Sequence, residues 1–264
     1  MAARLSQALA EREPLVGNWM AIGHPSVAEI LALLEFDFVV IDSEHTSHSL
    51  ETTEEMIRAV ESVGGPTQPL VRVADNDPII LKRILDCGPA GVLVPMVETE
   101  NEARALVDST QYPPDGFRGI AASRATGHGL NIDRYLKEDT ENLVRIVQLE
   151  TAKALDNASD IAAVDGIDGV FIGPMDLSIS LDLFKQWDNS EFTEKVDQAI
   201  EDAHSADTSV GTLAATADQA EDRMEWEIDF IVAGVDKAEL ITQAKKSKQA
   251  FERRMQRKTS KPER

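Results

Sequence analysis

Eight short apolar runs, rich in β-branched residues, recur along this chain with helical stretches between them, and that alternation constrains its fold more than any other feature. The runs are LVGNWMAI (15–22), FDFVVID (36–42), PLVRV (69–73), GVLVPMV (91–97), LVRIVQLE (143–150), GVFIGP (169–174), SVGTLA (209–214) and FIVAGVD (230–236). Continuous apolar character, rather than alternation with polar residues, marks strands covered on both faces, as in parallel sheets. Between them, segments such as SVAEILALLE (26–35), TTEEMIRAVESV (52–63), DPIILKRILDCG (77–88) and ENEARALVDST (100–110) place apolar residues at helical spacing. Asp77 and Pro78 supply a cap and a first-turn proline for one of these helices, and Gly88 supplies its stop. A strand–helix unit repeated eight times in 264 residues predicts an α/β fold of the closed (β/α)₈ TIM-barrel type. An open doubly wound sheet would want a glycine-rich phosphate turn after its first strand, and NWMAIGHPS offers none. The irregular interval 112–142, rich in Pro, Gly and polar residues, is expected to form a long loop and a short helix over the barrel mouth.

Charge bounds the partners. Net charge is −21, from 47 Asp and Glu against 26 Lys and Arg, which argues against a general nucleic-acid binder because phosphate would be repelled. Lysine is scarce and Ala and Asp are plentiful, a composition that resembles cytoplasmic proteins of salt-loving archaea. Residues 244–264 depart from it: nine Lys and Arg against two Glu give +7, leaving −28 for residues 1–243. The domain reading is one barrel over 1–243, including the start of its last helix. A basic helical segment and tail follow over 244–264, docking on the acidic body or on a sister subunit. No apolar run reaches membrane-spanning length and the N-terminus lacks the apolar core of a secretion signal, so a cytoplasmic location without membrane partners is expected. The lone Cys87 cannot form an intrachain disulfide and reads as a buried thiol rather than a nucleophile.

In such a barrel the active-site groups stand at the C-terminal ends of the strands. Read in order, those ends give Trp19, Asp42-Ser43-Glu44-His45, Arg72, Pro95-Met96, Gln148 with Glu150, Gly173-Pro174-Met175-Asp176, Leu213 and Gly234. Glu150 closes RIVQLE and Asp176 closes VFIGPMD, one strand–helix unit apart. Carboxylates at such positions are costly to desolvate unless paired, solvated or metal-bound. Two on consecutive strands begin a hard-cation site for Mg²⁺ or Mn²⁺. Helix capping is the plainer role for either one alone.

His45 follows a strand end in a polar turn, a useful place for a base titrating near neutrality. The other histidines, His24, His48, His128 and His204, read as solvent-facing, with His128 in the loop a lesser candidate for substrate contact. Arg72 lies inside LVRV, so it pairs with a core acid or faces an anionic ligand. The turn Gly173–Asp176 offers backbone N–H groups to a carboxylate, supplied by Gly173, Met175, Asp176 or Leu177 since Pro174 has none. A cation, a guanidinium, an anion cradle and a base together suit an enolate made from a 2-oxo acid. A Schiff-base route would need a desolvated lysine at a strand end. No such position holds one, and the nearest lysine is Lys153.

The segments Gly17-Asn18-Trp19, FDFVVIDSEH (36–45), QPLVRV with NDP (68–73, 76–78), ILDCG (84–88), VPMV (94–97), YPPDGFRG (112–119), VQLET (147–151), GVFIGPMDLS (169–178) and VAGVD (232–236) resemble, in order, the HpcH/HpaI class II pyruvate aldolases. That family includes 4-hydroxy-2-oxoheptanedioate and 2-dehydro-3-deoxyglucarate aldolases, on a barrel of the phosphoenolpyruvate/pyruvate-domain type. The resemblance implies reversible retro-aldol cleavage of a 4-hydroxy-2-oxo acid to pyruvate and an aldehyde. It assigns Glu150 and Asp176 to a divalent cation, Mg²⁺, Mn²⁺ or Co²⁺, chelated by pyruvate. It has Arg72 neutralise the enolate oxygen and His45, oriented by Asp86, act as acid and base through a metal-bound water. Gln148 and the backbone of Gly173, Pro174, Met175 and Asp176 would hold pyruvate, and Trp19 and Leu213 would shape the aldehyde pocket. By itself Asp86 reads as a helix-end residue. The family pattern also implies a homohexamer, a trimer of dimers exchanging their last helix. ASRATGHG (122–129) departs from the family's arginine-containing stretch, with Arg124 its substitute, and bears on the aldehyde. The competing readings are an acyl-CoA lyase of the citrate lyase β or malyl-CoA lyase branch, a non-catalytic 2-oxo-acid-binding barrel, and an assembly protein working through its basic tail.

Overall fold

Eight parallel strands close into one barrel in chain order, β8 pairing back onto β1, in a computed structural model that describes residues 2–139 and 141–259. They are β1 (Leu15–Met20), β2 (Phe38–Asp42), β3 (Gln68–Arg72), β4 (Gly91–Val94), β5 (Val144–Leu149), β6 (Gly169–Ile172), β7 (Ser209–Ala214) and β8 (Phe230–Val235). Seven lie within the runs predicted for them, several ending one to three residues early, and β3 slips by one. Pro95 and Pro174 explain two early stops, since proline cannot donate to a ladder.

The helices are α1 (Ala2–Ala10), α2 (Pro25–Leu33), α3 (Leu50–Val63), α4 (Pro78–Asp86), α5 (Glu100–Thr110), α6 (Ile132–Arg134, continued by a π-helical turn), α7 (Ala152–Asp156), α8 (Ala158–Ala162), α9 (Pro174–Ser180), α10 (Ser190–Ser205), α11 (Ala217–Arg223) and α12 (Asp236–Thr259). The α4 signals act as read: the Asp77 carboxylate accepts the N–H groups of Ile79 and Ile80 at 2.8 and 3.1 Å, and Gly88 turns away at φ +76°.

Strand parity accounts for both cores. Val39, Ile41, Val71, Val147 and Ile172 face outward and pack beneath the helices with Ile57, Leu106 and Phe192. The intervening Phe38, Val40, Leu70, Ile146, Phe171 and Phe230 fill the interior. Gly17 and Gly211 have a packing reason: a Cβ on either would strike the ring of Phe38 or Phe230. Helix α1, which the strand pattern does not announce, sends Leu5 and Leu9 into the same interior cluster, and the Ser209 hydroxyl donates to the Leu9 carbonyl at 2.6 Å. The base of the barrel is thereby plugged.

The interval 112–142 departs from expectation. It follows a helix and precedes a strand, so it belongs to the base, not the mouth. Arg124 donates to the Cys87 carbonyl at 2.6 Å and pairs with Glu61, and the Ala125 N–H donates to the Asp86 carbonyl at 3.1 Å. Helix α12 runs unbroken through residue 244 to Thr259, so the basic segment is the outer part of the last helix. Residues 260–264 lie outside the described residues. Among the described residues no helix is long and apolar enough to cross a membrane.

Candidate active site

The inward parity that fills the core delivers polar groups once it passes the aromatic layer. On β2 the inward series is Phe38, Val40, Asp42, continuing to Glu44. On β3 it is Gln68, Leu70, Arg72, and on β5 it is Val144, Ile146, Gln148, continuing to Glu150. These ends converge with Trp19, Phe171 and the Gly173–Asp176 turn on a cavity of about 330 Å³, within the range of small-molecule sites. Trp19, Asp42, His45, Arg72, Gln148, Gly173, Pro174, Met175, Asp176 and Leu213 all line it.

Asp42 and Arg72 are register partners across β2 and β3. The guanidinium makes a fork on the carboxylate, Nε to Oδ1 at 3.0 Å and Nη2 to Oδ2 at 2.7 Å, with both side chains buried. Nη1 stands 2.9 Å from Glu44 Oε2, and the Arg72 cation lies 4.6 Å from the Trp19 ring centre. Burial pushes the Asp42 carboxyl up, but the hydrogen bonds and charge of Arg72 and the N–H groups of Glu44 and His45 outweigh it and hold it below its ordinary value. Two of the five guanidinium donors are thus committed to Asp42, Glu44 is met as an ion pair without a hydrogen bond to its Oε2, and three N–H groups remain for a ligand.

The acids exceed the cations. Glu150 is 4% exposed. One carboxylate oxygen accepts the Met96 N–H at 2.9 Å, which the positive φ of Met96 turns inward, and the other accepts the Gln148 amide. Burial, then the negative charges of Asp176 and Glu44, push its pKa up to about 7. Glu44 is also raised, by burial first, with Arg72 and His45 opposing and Asp42 and Asp176 adding to the shift. The carbonyl oxygen of Gln148 is buried without a hydrogen-bond partner. Like-charged carboxylates beside an unsatisfied amide oxygen are the donor chemistry that hard cations take. Among the described residues no group of three or more Asp, Glu, His or Cys side chains forms a complete metal cluster. The donor chemistry of Glu150 and Asp176 is compatible with a hard cation such as Mg²⁺, which takes one or two carboxylates and leaves its other positions to water and substrate.

Other expectations need correction. Asp86 ends α4 at the base, where it pairs with Arg118 at 3.5 Å, so within one chain it does not meet His45. His128 lies in the same base loop, away from the cavity. His45 itself is 70% exposed at its side chain, with Nε2 3.7 Å from Glu44 Oε1. His48 and His204 are not solvent-facing: His48 is half-buried between Ser43 and Thr46, and His204 bonds Asp229 at 3.0 Å. The carboxylate cradle narrows, because the Gly173 N–H donates to the Leu149 carbonyl and the Leu177 N–H to the Gly173 carbonyl. Met175 and Asp176 keep first-turn N–H groups without an intrahelical acceptor. A strand-end lysine does exist: Lys237, directly after β8, lines the cavity. It is exposed rather than desolvated, and Lys153 is engaged by Glu98 at 2.9 Å. Sequence reasoning gave no role to Asp42, Glu44 or Arg223. The first two were accessible from strand parity, two and four residues beyond the inward Val40.

Comparison with known proteins shows the family and the fold. The family model described as HpcH/HpaI aldolase/citrate lyase matches residues 15–243. A 5-keto-4-deoxy-D-glucarate aldolase of Shigella sonnei is 34% identical over 233 residues, 88% of this chain and 90% of the relative. Its counterpart in Citrobacter koseri is 33% identical over 250 residues, 95% and 96% of the two chains. Among solved structures, an HpcH/HpaI aldolase/citrate lyase family protein from Burkholderia cenocepacia superposes with a TM-score of 0.90 at 31% identity, covering 95% of this chain and 99% of that one.

Proposed function

This chain belongs to the HpcH/HpaI aldolase/citrate lyase family and is a carbon–carbon lyase; from that premise we propose that it is a metal-dependent aldolase cleaving a 2-keto-3-deoxy sugar acid, or a related 4-hydroxy-2-oxo acid, reversibly to pyruvate and an aldehyde. The observation that carries the reading is that Asp176 and Arg72 line one cavity, with Glu150 and Glu44 close enough for their charges to act on each other and on Asp176. The substrate class follows the relatives named 5-keto-4-deoxy-D-glucarate aldolase.

A divalent cation such as Mg²⁺ or Mn²⁺, held by Glu150 and Asp176, would act as a Lewis acid on the 2-oxo group. Arg72, fixed by its fork on Asp42, turns its remaining N–H groups toward the oxygen that gains charge as the C3–C4 bond breaks. The N–H groups of Met175 and Asp176 receive the pyruvate carboxylate, and Gln148 lies beside it. His45, exposed at the rim next to Glu44, takes the proton of the 4-hydroxyl, and protonation at C3 completes pyruvate. Trp19 and Leu213 bound the space beyond, where the aldehyde departs. Asp86 can orient His45 only across a subunit boundary, which ties that pairing to the hexamer implied by the family pattern. The test is pyruvate release from 2-keto-3-deoxy sugar acids and 4-hydroxy-2-oxoheptanedioate in high salt. Release should require Mg²⁺ or Mn²⁺, cease with chelator, and leave no borohydride-trapped pyruvate on lysine. Release that survives chelation, or that borohydride traps, would defeat the proposal.

A further inference from the structure

We propose that Arg223 anchors a carboxylate carried by the aldehyde half of the substrate, so that the site selects aldehyde acids over neutral aldehydes. This deepens the aldolase reading and rests on it. Arg223 ends α11 and lines the active-site cavity while being only 7% exposed. Its guanidinium carbon lies 4.2 Å from the ring centre of Trp226 and 5.3 Å from that of Trp187. The two rings fix the position of the guanidinium but give its N–H groups nothing to bond.

Every other deeply buried arginine has an acceptor. Arg72 has Asp42, Arg118 has Tyr135 and Asp86, and Arg145 has Thr110 and the Leu143 carbonyl. The guanidinium of Arg223 alone among them makes no hydrogen bond or ion pair among the described residues, and its Nε is buried without a partner. Burial pulls its pKa down, and Asp222 and Asp188 oppose this only through their charge. A desolvated guanidinium without an acceptor is expensive, and in a chain of net charge −21 an acid was plentiful as a partner. The cavity is where the missing acceptor can arrive.

The position fits the reaction. Asp176, Gln148 and Arg72 line one part of the cavity, beside Glu150, and that is where the pyruvate half belongs under the aldolase reading. Arg223 and Lys237, on the segments after β7 and β8, make a cationic wall on the same cavity. A substrate with its 2-oxo acid in the first part presents its far end to that wall, where a planar guanidinium matches a carboxylate.

The experiment compares 4-oxobutanoate with its methyl ester as aldol acceptors toward pyruvate, a pair differing in one charge. The wild type should favour the acid. Arg223→Gln should lower the acid-to-ester ratio of kcat/KM about tenfold or more through KM, and Arg223→Lys should restore part of it. Exchange of pyruvate methyl protons, which needs no aldehyde, reports in the same samples whether the pyruvate half of the site is folded and active. An unchanged ratio in a variant that still exchanges would overturn the inference. A wild type that neither exchanges nor condenses would remove the aldolase reading instead. The charge preference is then read from tryptophan emission, which 4-oxobutanoate should perturb in the wild type at concentrations where the ester does not. Equal perturbation by both would overturn the inference in that case too.

Discussion

The two ends of the barrel both bury charge, and they handle it in opposite ways. At the base, the acids and bases are matched: Arg118 with Asp86, Arg124 with Glu61, and Arg12 and His204 on the two oxygens of Asp229. Arg145 adds hydrogen bonds to Thr110 and the Leu143 carbonyl, while Asp168 accepts the Arg145 N–H at 2.7 Å. At the mouth the ledger is left open. Glu44 and Glu150 are raised by burial and by like charges, Gln148 keeps an orphan carbonyl, and Arg223 has no acceptor. A protein end that satisfies its own charges is there for stability, and one that leaves them unsatisfied is arranged for something it must bind.

Substitutions at the two ends should therefore fail in different assays. Glu150→Gln at the mouth should cut metal-dependent pyruvate release by about a thousandfold or more, since it removes a ligand of the Lewis acid. In metal-free protein it should hold or raise the melting temperature, because a carboxylate with a raised pKa is removed. Arg145→Ala at the base should do the reverse. It removes the donors to Thr110 and the Leu143 carbonyl and the cation facing Asp168, while the backbone N–H to Asp168 stays. The cost should be about 2 kcal/mol in a denaturant titration, and the folded fraction should turn over as before. If each variant lost both properties equally, the division between the ends would not hold.

Titration moves a buried acid at each end in the same direction, and a cation should separate them. Glu150 is raised from 4.5 to about 7 and Asp168 from 3.8 to about 6, each chiefly by burial. Both bind more protons in the folded than in the unfolded chain, so metal-free stability should fall as pH rises from about 4 to 7. The Glu150 share of that loss is about 3 kcal/mol. Mg²⁺ at neutral pH should recover the Glu150 share, by favouring the ionised carboxylate, and leave the Asp168 share in place. Recovery of neither share, seen in urea melts at pH 5 and 7, would break the comparison. The smallest effect belongs to the plug: Ser209→Ala, losing the bond to the Leu9 carbonyl, should cost about 1 kcal/mol and leave turnover unchanged.

The sequence made the barrel legible because strands buried on both faces must be apolar throughout, and each of the eight runs holds a strand. It made the mouth largely legible for the same reason: a charged residue in such a run, as Arg72 in LVRV, needs a partner. Three things escaped. Helix α1 carries no strand signal, and its role is visible only once Leu5 and Leu9 enter the interior. The loop 112–142 was misplaced because its glycines and prolines suggested function, whereas its position after a helix assigns it to the base. Arg223 lies in a helix with no distinguishing motif, and only Trp187, distant in sequence, and the nearby Trp226 reveal it.

The most direct measurement is a calorimetric titration of Mn²⁺ into the chain in concentrated salt with pyruvate present, repeated on Glu150→Gln and Asp176→Asn. The account expects one saturable ion per chain in the wild type and none in either variant. Saturable binding that persists in both variants would place the ion elsewhere and contradict the account.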